Sequence, residues 1–69
     1  KIDIEGYEDR ALDCFFRNAP KELFPKIIII EHTSSKDWLT NIINDMVNNY
    51  GYLIICKTRS NSILELKIF

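Results

Sequence analysis

The chain of 69 residues has little of what specialised structural classes require: two cysteines, two glycines, two prolines and a single histidine. Two cysteines do not make the disulfide framework that stabilises small secreted domains. Cys14 falls in a helical pattern and Cys56 in a strand pattern. We therefore expect two reduced thiols packed as small apolar side chains in a cytoplasmic protein, with one disulfide bridge as the alternative.

An excess of charge of one sign is also missing. Nine basic and ten acidic residues give a net charge of -1, which excludes the basic footprint of a nucleic-acid-binding protein and an acidic block for a cationic partner. The apolar run Ile27–Ile30 is far too short to cross a bilayer, so we expect no membrane partner. The sequence shows no signal peptide. It begins at Lys1, so we expect a processed N-terminus or a piece of a longer polypeptide.

What is present is the composition of an ordinary globular domain, with 46% hydrophobic and 28% charged residues. Residues 2–5 alternate apolar and acidic side chains, which predicts a short strand that ends at Gly6. Residues 11–19 repeat apolar positions with helical spacing. Glu8 and Asp9 stand at the predicted start of this helix, where negative charge favours the helix dipole.

A second strand and a second helix follow. Four isoleucines at 27–30 without alternation predict a strand covered on both faces, as a central parallel strand is. Ser34, with Asp37 three residues later, predicts a helix start with a serine cap. Helical spacing then continues over residues 38–50, and Gly51 ends the helix in the left-handed conformation.

The last part of the chain predicts two strands joined by a turn. Residues 52–56 form an apolar strand, residues 59–62 a polar turn, and residues 63–69 an alternating strand with Leu66 and Ile68 on one face. The element order is strand, helix, strand, helix, strand, strand. It predicts an α/β fold with parallel strands, right-handed crossovers and a final antiparallel hairpin.

This architecture lacks part of a nucleotide site. A doubly wound sheet binds its ligand beyond the carboxyl ends of its strands, and such a site normally needs a glycine-rich loop after the first strand. The chain has only Gly6 and Gly51. A chain of this size buries only about 60% of its unfolded surface, so the layer is marginal by itself. We therefore expect residues 1–69 to be one partial domain.

The first eight residues carry a family resemblance. KIDIEGYE at residues 1–8 resembles the Lys-Ile-Asp-Val-Glu-Gly-x-Glu signature of FkbM-type methyltransferases. The next helix, the apolar strand that ends at His32, and Tyr-Gly-Tyr at residues 50–52 are similar to that family in order and spacing. The resemblance implies the C-terminal half of a Rossmann-like methyltransferase sheet, with its last strand antiparallel beside the strand at 27–30.

The same resemblance implies an activity. It implies an O-methyltransferase that uses S-adenosylmethionine and methylates a hydroxyl of a small molecule or sugar. The glycine-rich half that binds the cofactor would lie outside residues 1–69, so the fragment by itself is expected to be inactive.

Asp3 and Glu5 are the first candidate catalytic residues. They are two apart, so they share a face of the predicted strand, about 7 Å from each other. Methyl transfer needs an aligned, deprotonated nucleophile, and either carboxylate can accept or orient the proton of the acceptor hydroxyl. Glu5 is also a candidate for substrate binding, and the resemblance implies Asp3 and Gly6 beside the cofactor. The structural alternative is a solvated strand end with a tight turn at Gly6.

Glu31 and His32 follow the second strand. Adjacent residues of a strand point to opposite faces, so both reach one site only if the strand has already ended. Glu31 is a catalytic candidate because the resemblance includes an acidic residue at this strand exit. His32 is a candidate for substrate binding and can act as a base near neutral pH; an exposed loop histidine is the alternative. Together with Asp3 and Glu5 these residues match no strong metal motif, so we expect no metal.

A second hypothesis is a self-contained small α/β module that binds or assembles without chemistry. Its exposed sheet edges would pair with a partner or with a second copy. A cooperative fold of the isolated chain would favour this hypothesis. Under either hypothesis we expect Trp38 to lie in the core, and Lys57 and Arg59 to form a solvated hairpin tip.

Overall fold

The computed structural model of the protein describes residues 1–67, in which two helices pack on one face of a three-stranded sheet. The elements in chain order are α1 (Glu8–Asn18), β1 (Ile27–Glu31), α2 (Ile42–Asn49), β2 (Tyr52–Lys57) and β3 (Asn61–Leu66), with short 3-10 turns at Lys21–Leu23 and Ser35–Asp37. The helix predicted over residues 11–19 is confirmed as α1. Ile68, predicted on the last strand, lies outside the described residues.

The sheet has the order β1-β3-β2, and β3 pairs antiparallel with both neighbours. The prediction of a parallel, Rossmann-like half-sheet is therefore wrong, because no two of the described strands are parallel neighbours. A short polar connection turns the chain back after β2, and β3 lies between β1 and β2, antiparallel to both. The final antiparallel hairpin is confirmed, and so is the antiparallel pairing of the last strand with β1.

The predicted first strand at residues 2–5 is reduced to a single bridge. Ile2 forms an isolated parallel bridge with Ile30, and its backbone N–H and C=O bond to the flanking residues of β1 at 2.8 and 3.0 Å. Pairing stops there because the Ile4 amide donates to a side chain of α1 and Glu5 adopts a left-handed φ of 56°. The chain leaves the sheet immediately after the bridge.

The second helix begins later than the sequence pattern predicts. The serine-capped start at Ser34 is wrong: Ser35–Asp37 is a 3-10 turn, and α2 starts at Ile42. Its N-cap is Asn41, whose side chain accepts the Asn44 amide at 3.2 Å. The two backbone amides before Asn41 are bonded to a buried aspartate of α1, so they are not available to an earlier helix. At the other end Gly51 has a φ of 85°, which confirms the predicted left-handed stop.

The core lies between the two helices and the inner face of the sheet. Trp38 is half-buried and packs against it, as predicted, whereas Leu39 is 75% exposed although it shares the apolar pattern. The buried apolar residues are Leu12, Phe16, Ile28, Ile30, Ile42, Met46, Tyr52 and Leu64.

The outer face of the sheet has no helix on it among the described residues. Ile28 and Ile30 are buried, but Ile27 is 45% exposed and Ile29 is only partly buried. The prediction that this strand is covered on both faces is therefore wrong, because α1 and α2 contact each other and join the same core on the inner side.

The two cysteines do not take the predicted packed positions. Cys14 and Cys56 are both free and exposed. Cys56 pairs with Ile63 across β2 and β3, and this pair lies on the uncovered outer face.

Over residues 1–67, neither helix has the length and apolar character that a bilayer span requires.

Candidate functional site

The parallel bridge near the N-terminus sets Asp3 beside Glu31. Each residue directly follows one member of the bridged pair, so both side chains point to the outer face at the carboxyl end of β1. Two of the predicted catalytic residues are thus neighbours, although they are far apart in the sequence.

Glu31 is held in place by its own loop. Its Oε1 accepts hydrogen bonds from the Thr33 hydroxyl and from the Thr33 amide, the latter at 2.6 Å. These two bonds hold the pKa of Glu31 below its ordinary value of 4.5, against an opposing effect of desolvation. A carboxylate with a lowered pKa is a weak base. Glu31 is therefore better suited to orient a hydroxyl than to take its proton.

Glu5 does not share a strand face with Asp3. Strand pairing ends at Ile2, and Glu5 is exposed with a φ of 56°. A side chain in the left-handed region costs about 1–2 kcal/mol, and such strained residues cluster at functional sites. The structure thus separates Glu5 from the pair formed by Asp3 and Glu31.

Gly6 makes its contacts with other residues of the chain. It is buried with a φ of 98°, and its amide donates to Glu8 Oε1 at 3.1 Å. A Cβ at this position would lie 3.3 Å from both Cβ and Oδ2 of Asp37. The missing side chain therefore makes room for the loop before α2, and neither the amide nor the space is free for the cofactor that was predicted here. The described residues do not fit S-adenosylmethionine at Gly6.

Glu8 is a residue whose importance the sequence pattern did not indicate. It is 1% exposed, and its carboxylate accepts the Ile4 amide at 2.7 Å, the Gly6 amide at 3.1 Å and the Trp38 indole N–H at 3.1 Å. Burial raises the pKa of Glu8, but the hydrogen bonds from Trp38 and from the backbone together lower it by more. The pKa of Glu8 therefore lies below its ordinary value of 4.5. The sequence shows only an acidic pair at the start of a predicted helix. The helix dipole accounts for such a pair, so nothing in the pattern indicates a buried hydrogen-bonding role for Glu8.

Asp9 makes the second connection between α1 and the loop. It is 1% exposed, and its Oδ2 accepts the backbone amides of Leu39 and Thr40 at 2.8 and 3.3 Å. Its Oδ1 has no hydrogen-bond partner among residues 1–67. Glu8 and Asp9 together fix the segment 38–40 against the first turn of α1.

His32 lies on the opposite face from Glu31, so the two do not form one site. Its Nε2 is 3.1 Å from the Arg59 carbonyl oxygen and its Nδ1 is 2.8 Å from the Ser62 hydroxyl. A carbonyl only accepts, so Nε2 carries the proton, and in the neutral ring Nδ1 accepts from Ser62. Ser62 has no exposed surface, so this pair fastens β1 to β3 and does not present a nucleophile to solvent.

A cleft of about 670 Å³ opens on the inner side, between the loop before α2 and the hairpin. His32, predicted to bind substrate, and Trp38, predicted to lie in the core, both line it. The full set of lining residues is His32, Ser35, Trp38, Leu39, Thr40, Asn41, Ile43, Asn44, Ile54, Lys57, Thr58 and Ser62. No group of three or more histidine, cysteine or carboxylate side chains within residues 1–67 is arranged to hold a metal ion.

Comparisons with models of protein families, with curated proteins and with solved structures find no match to this chain. What bears on the function of this chain is the geometry of residues 1–67 and the family resemblance of residues 1–8.

Proposed function

We propose that the chain is part of an S-adenosylmethionine-dependent O-methyltransferase of the FkbM type, which methylates a hydroxyl of a small molecule or sugar. The observation that carries the proposal is the bridge between Ile2 and Ile30, which places Asp3 next to Glu31 on the outer face of the sheet. It combines with the family signature at residues 1–8. The proposal does not depend on a parallel sheet.

The two carboxyl groups have different roles in this proposal. Glu31 is fixed by Thr33 and accepts a hydrogen bond from the acceptor hydroxyl, which sets its direction. Asp3 is exposed and, without a comparable clamp, is free to take the hydroxyl proton as the oxygen is methylated.

S-adenosylmethionine supplies the methyl group when it is bound, but the described residues do not form its pocket. Gly6, the predicted cofactor contact, is closed by Asp37 and bonded to Glu8. The proposal therefore assigns cofactor binding to a further part of the polypeptide, and the 69-residue chain by itself is expected to transfer no methyl group.

The test is an assay of methyl transfer from labelled S-adenosylmethionine to a panel of sugars and small alcohols, using the product of the complete reading frame. Asp3→Asn and Glu31→Gln are each expected to lower kcat, with the loss for Asp3→Asn about 10²–10⁴-fold and cofactor binding retained. Glu22→Gln, an exposed acid of the 3-10 turn at Lys21–Leu23, is the matched control and keeps the wild-type rate. Wild-type rates for both site variants, or no cofactor binding by the complete protein, contradict the proposal.

A second candidate is a binding module without catalysis. The observation that favours it is the cleft of about 670 Å³, which residues of the loop before α2, of α2 and of the hairpin line. This alternative requires the isolated 69 residues to unfold in one sharp, cooperative denaturant transition. A molten or aggregated sample counts against it.

A further inference from the structure

A β-bulge in β2 decides which face of the sheet Lys57 occupies. Ile54 pairs with Leu64 and Cys56 pairs with Ile63, so Ile55 has no partner of its own and the register shifts by one residue. In a regular strand Lys57 would alternate onto the outer face. After the bulge it pairs with the inward-facing Ser62 and lies on the inner face.

This shift puts an ammonium group at the cleft. Lys57 and His32 are the only ionisable side chains that line it, and none of its lining residues within the described chain is a carboxylate. Lys57 forms no salt bridge with any carboxylate of residues 1–67. Lys57 is exposed at the hairpin end of β2, as the sequence predicts, and it also lines the cleft, with no neutralising carboxylate among residues 1–67.

The His32 ring lines the cleft and is held in position by hydrogen bonds. Both of its ring nitrogens are already bonded, to Ser62 and to the Arg59 carbonyl. Its ring is therefore a fixed wall, and the attraction for an anion comes from Lys57.

The rest of the lining divides into an apolar wall and a polar rim. The wall is formed by Trp38, Leu39, Ile43 and Ile54, and the amide side chains Asn41 and Asn44 lie at the start of α2. The volume of about 670 Å³ is within the range of about 300–1,000 Å³ that holds small molecules. Four apolar residues on one wall, hydrogen-bonding side chains around them and the Lys57 cation suit a small polar ligand that has an apolar part and an acidic group.

We propose that this cleft binds a small organic anion, with its ring or apolar body on Trp38, Ile43 and Ile54 and its acidic group on the Lys57 ammonium. The site lies on the inner side of the sheet, separate from Asp3 and Glu31 on the outer face. The proposal does not rest on methyl transfer, because it is tested by binding to the 69-residue chain and needs no turnover.

Trp38 allows a direct test because it is the single tryptophan of the chain and lines the cleft. Its indole N–H gives one NMR signal, which is followed during titration with phenyl phosphate, phenol and inorganic phosphate. We expect a saturable shift with phenyl phosphate, at a Kd at least about tenfold below that of either part alone, the equivalent of one charge-assisted hydrogen bond.

Substitutions of Lys57 test whether the anionic group binds at its ammonium. Lys57→Gln is expected to weaken phenyl phosphate binding about tenfold, and Lys57→Arg is expected to retain it. Lys26→Gln changes an exposed lysine outside the cleft and should bind as the wild type does. Circular dichroism spectra of all variants are compared with that of the wild type, and Lys57→Arg carries the test if Lys57→Gln fails to fold.

Three results overturn the proposal. The first is no saturable shift of the Trp38 signal with phenyl phosphate. The second is equal affinity for phenol or for inorganic phosphate. The third is equal affinity of the Lys57→Gln and Lys26→Gln variants, or loss of binding in the folded Lys57→Arg variant.

Discussion

The indole Nε1–H of Trp38 donates a hydrogen bond to Glu8 Oε1 at 3.1 Å, and this bond joins the first turn of α1 to the loop that precedes α2. The same carboxylate receives two backbone amides from the turn before α1. One buried side chain therefore organises both the turn that follows the Asp3 segment and the loop that forms one wall of the cleft.

Removal of this carboxylate should destabilise the whole domain. Glu8→Ala is expected to lower the free energy of unfolding by about 2–4 kcal/mol, because it leaves buried donors without an acceptor and breaks charge-assisted bonds. Chemical denaturation followed by circular dichroism measures the loss. Glu22→Ala, an exposed acid on a 3-10 turn, is the control and should change little. An equal effect of the two substitutions would show that the Glu8 contacts contribute nothing.

The Glu8 contacts also predict how stability depends on acid. Its pKa in the folded chain lies below the ordinary value of 4.5, so the stabilisation is complete above that value and is lost as pH falls through the lower folded pKa. Glu8→Gln should show a shallower decrease of stability on acidification than the wild type. Parallel pH profiles for the two proteins would contradict this assignment.

The left-handed backbone conformation of Glu5 predicts that a glycine at this position stabilises the chain. Its φ of 56° costs about 1–2 kcal/mol for a residue with a Cβ, and glycine avoids this cost at an entropic penalty of about 0.5–1 kcal/mol. Glu5→Gly should therefore raise the free energy of unfolding by about 0.5–1 kcal/mol. Glu5→Ala retains the Cβ and should bring no such gain. If alanine stabilises as much as glycine, the cause is the charge and not the backbone conformation.

Tyr52 predicts a loss of stability in alkali. Its hydroxyl donates to the Pro25 carbonyl at 2.6 Å, and burial raises the pKa of Tyr52 from 10.0 to about 12. The folded chain holds this proton more tightly than the unfolded chain, so the contribution is complete below pH 10.0 and is lost as pH rises toward 12.

Two variants separate this contribution from that of other tyrosines. Tyr52→Phe should cost about 0.5–1.5 kcal/mol at neutral pH and should remove part of the alkaline slope in denaturation curves. Tyr7→Phe alters a tyrosine that is 60% exposed and should leave both quantities unchanged. A full alkaline slope in Tyr52→Phe would be inconsistent with the buried hydroxyl.

The sequence predicted those parts of the fold that depend on neighbouring residues. Helix α1, the left-handed Gly51 and the final hairpin follow from local spacing and turn chemistry, and all three are present. The residue pattern alone did not predict that β3 lies between β1 and β2, because this order depends on contacts between distant segments. Only the family resemblance implied that the last strand pairs with β1. The start of α2 was misplaced for the same reason: an aspartate about 30 residues earlier captures its amides.

The site could be predicted only in part. The acidic residues at the chain start and after the isoleucine strand were identified from sequence, and the bridge at Ile2 brings Asp3 and Glu31 together. Glu5 and Gly6 were assigned ligand roles because their backbone conformations and the Glu8 contacts are not visible in a pattern of residue types. The place of Lys57 depends on an unpaired residue in β2, which period-two alternation does not reveal.

The central claim is that Asp3 and Glu31 act on one acceptor hydroxyl as a pair, and a double-mutant cycle on kcat for methyl transfer tests it most directly. Rates are measured with the complete protein for the wild type, Asp3→Asn, Glu31→Gln and the double variant. We expect the double variant to be about as slow as the slower single variant, because the effects of residues that act as a unit are not additive. Losses that multiply, as for independent residues, or rates that do not change at all would contradict it.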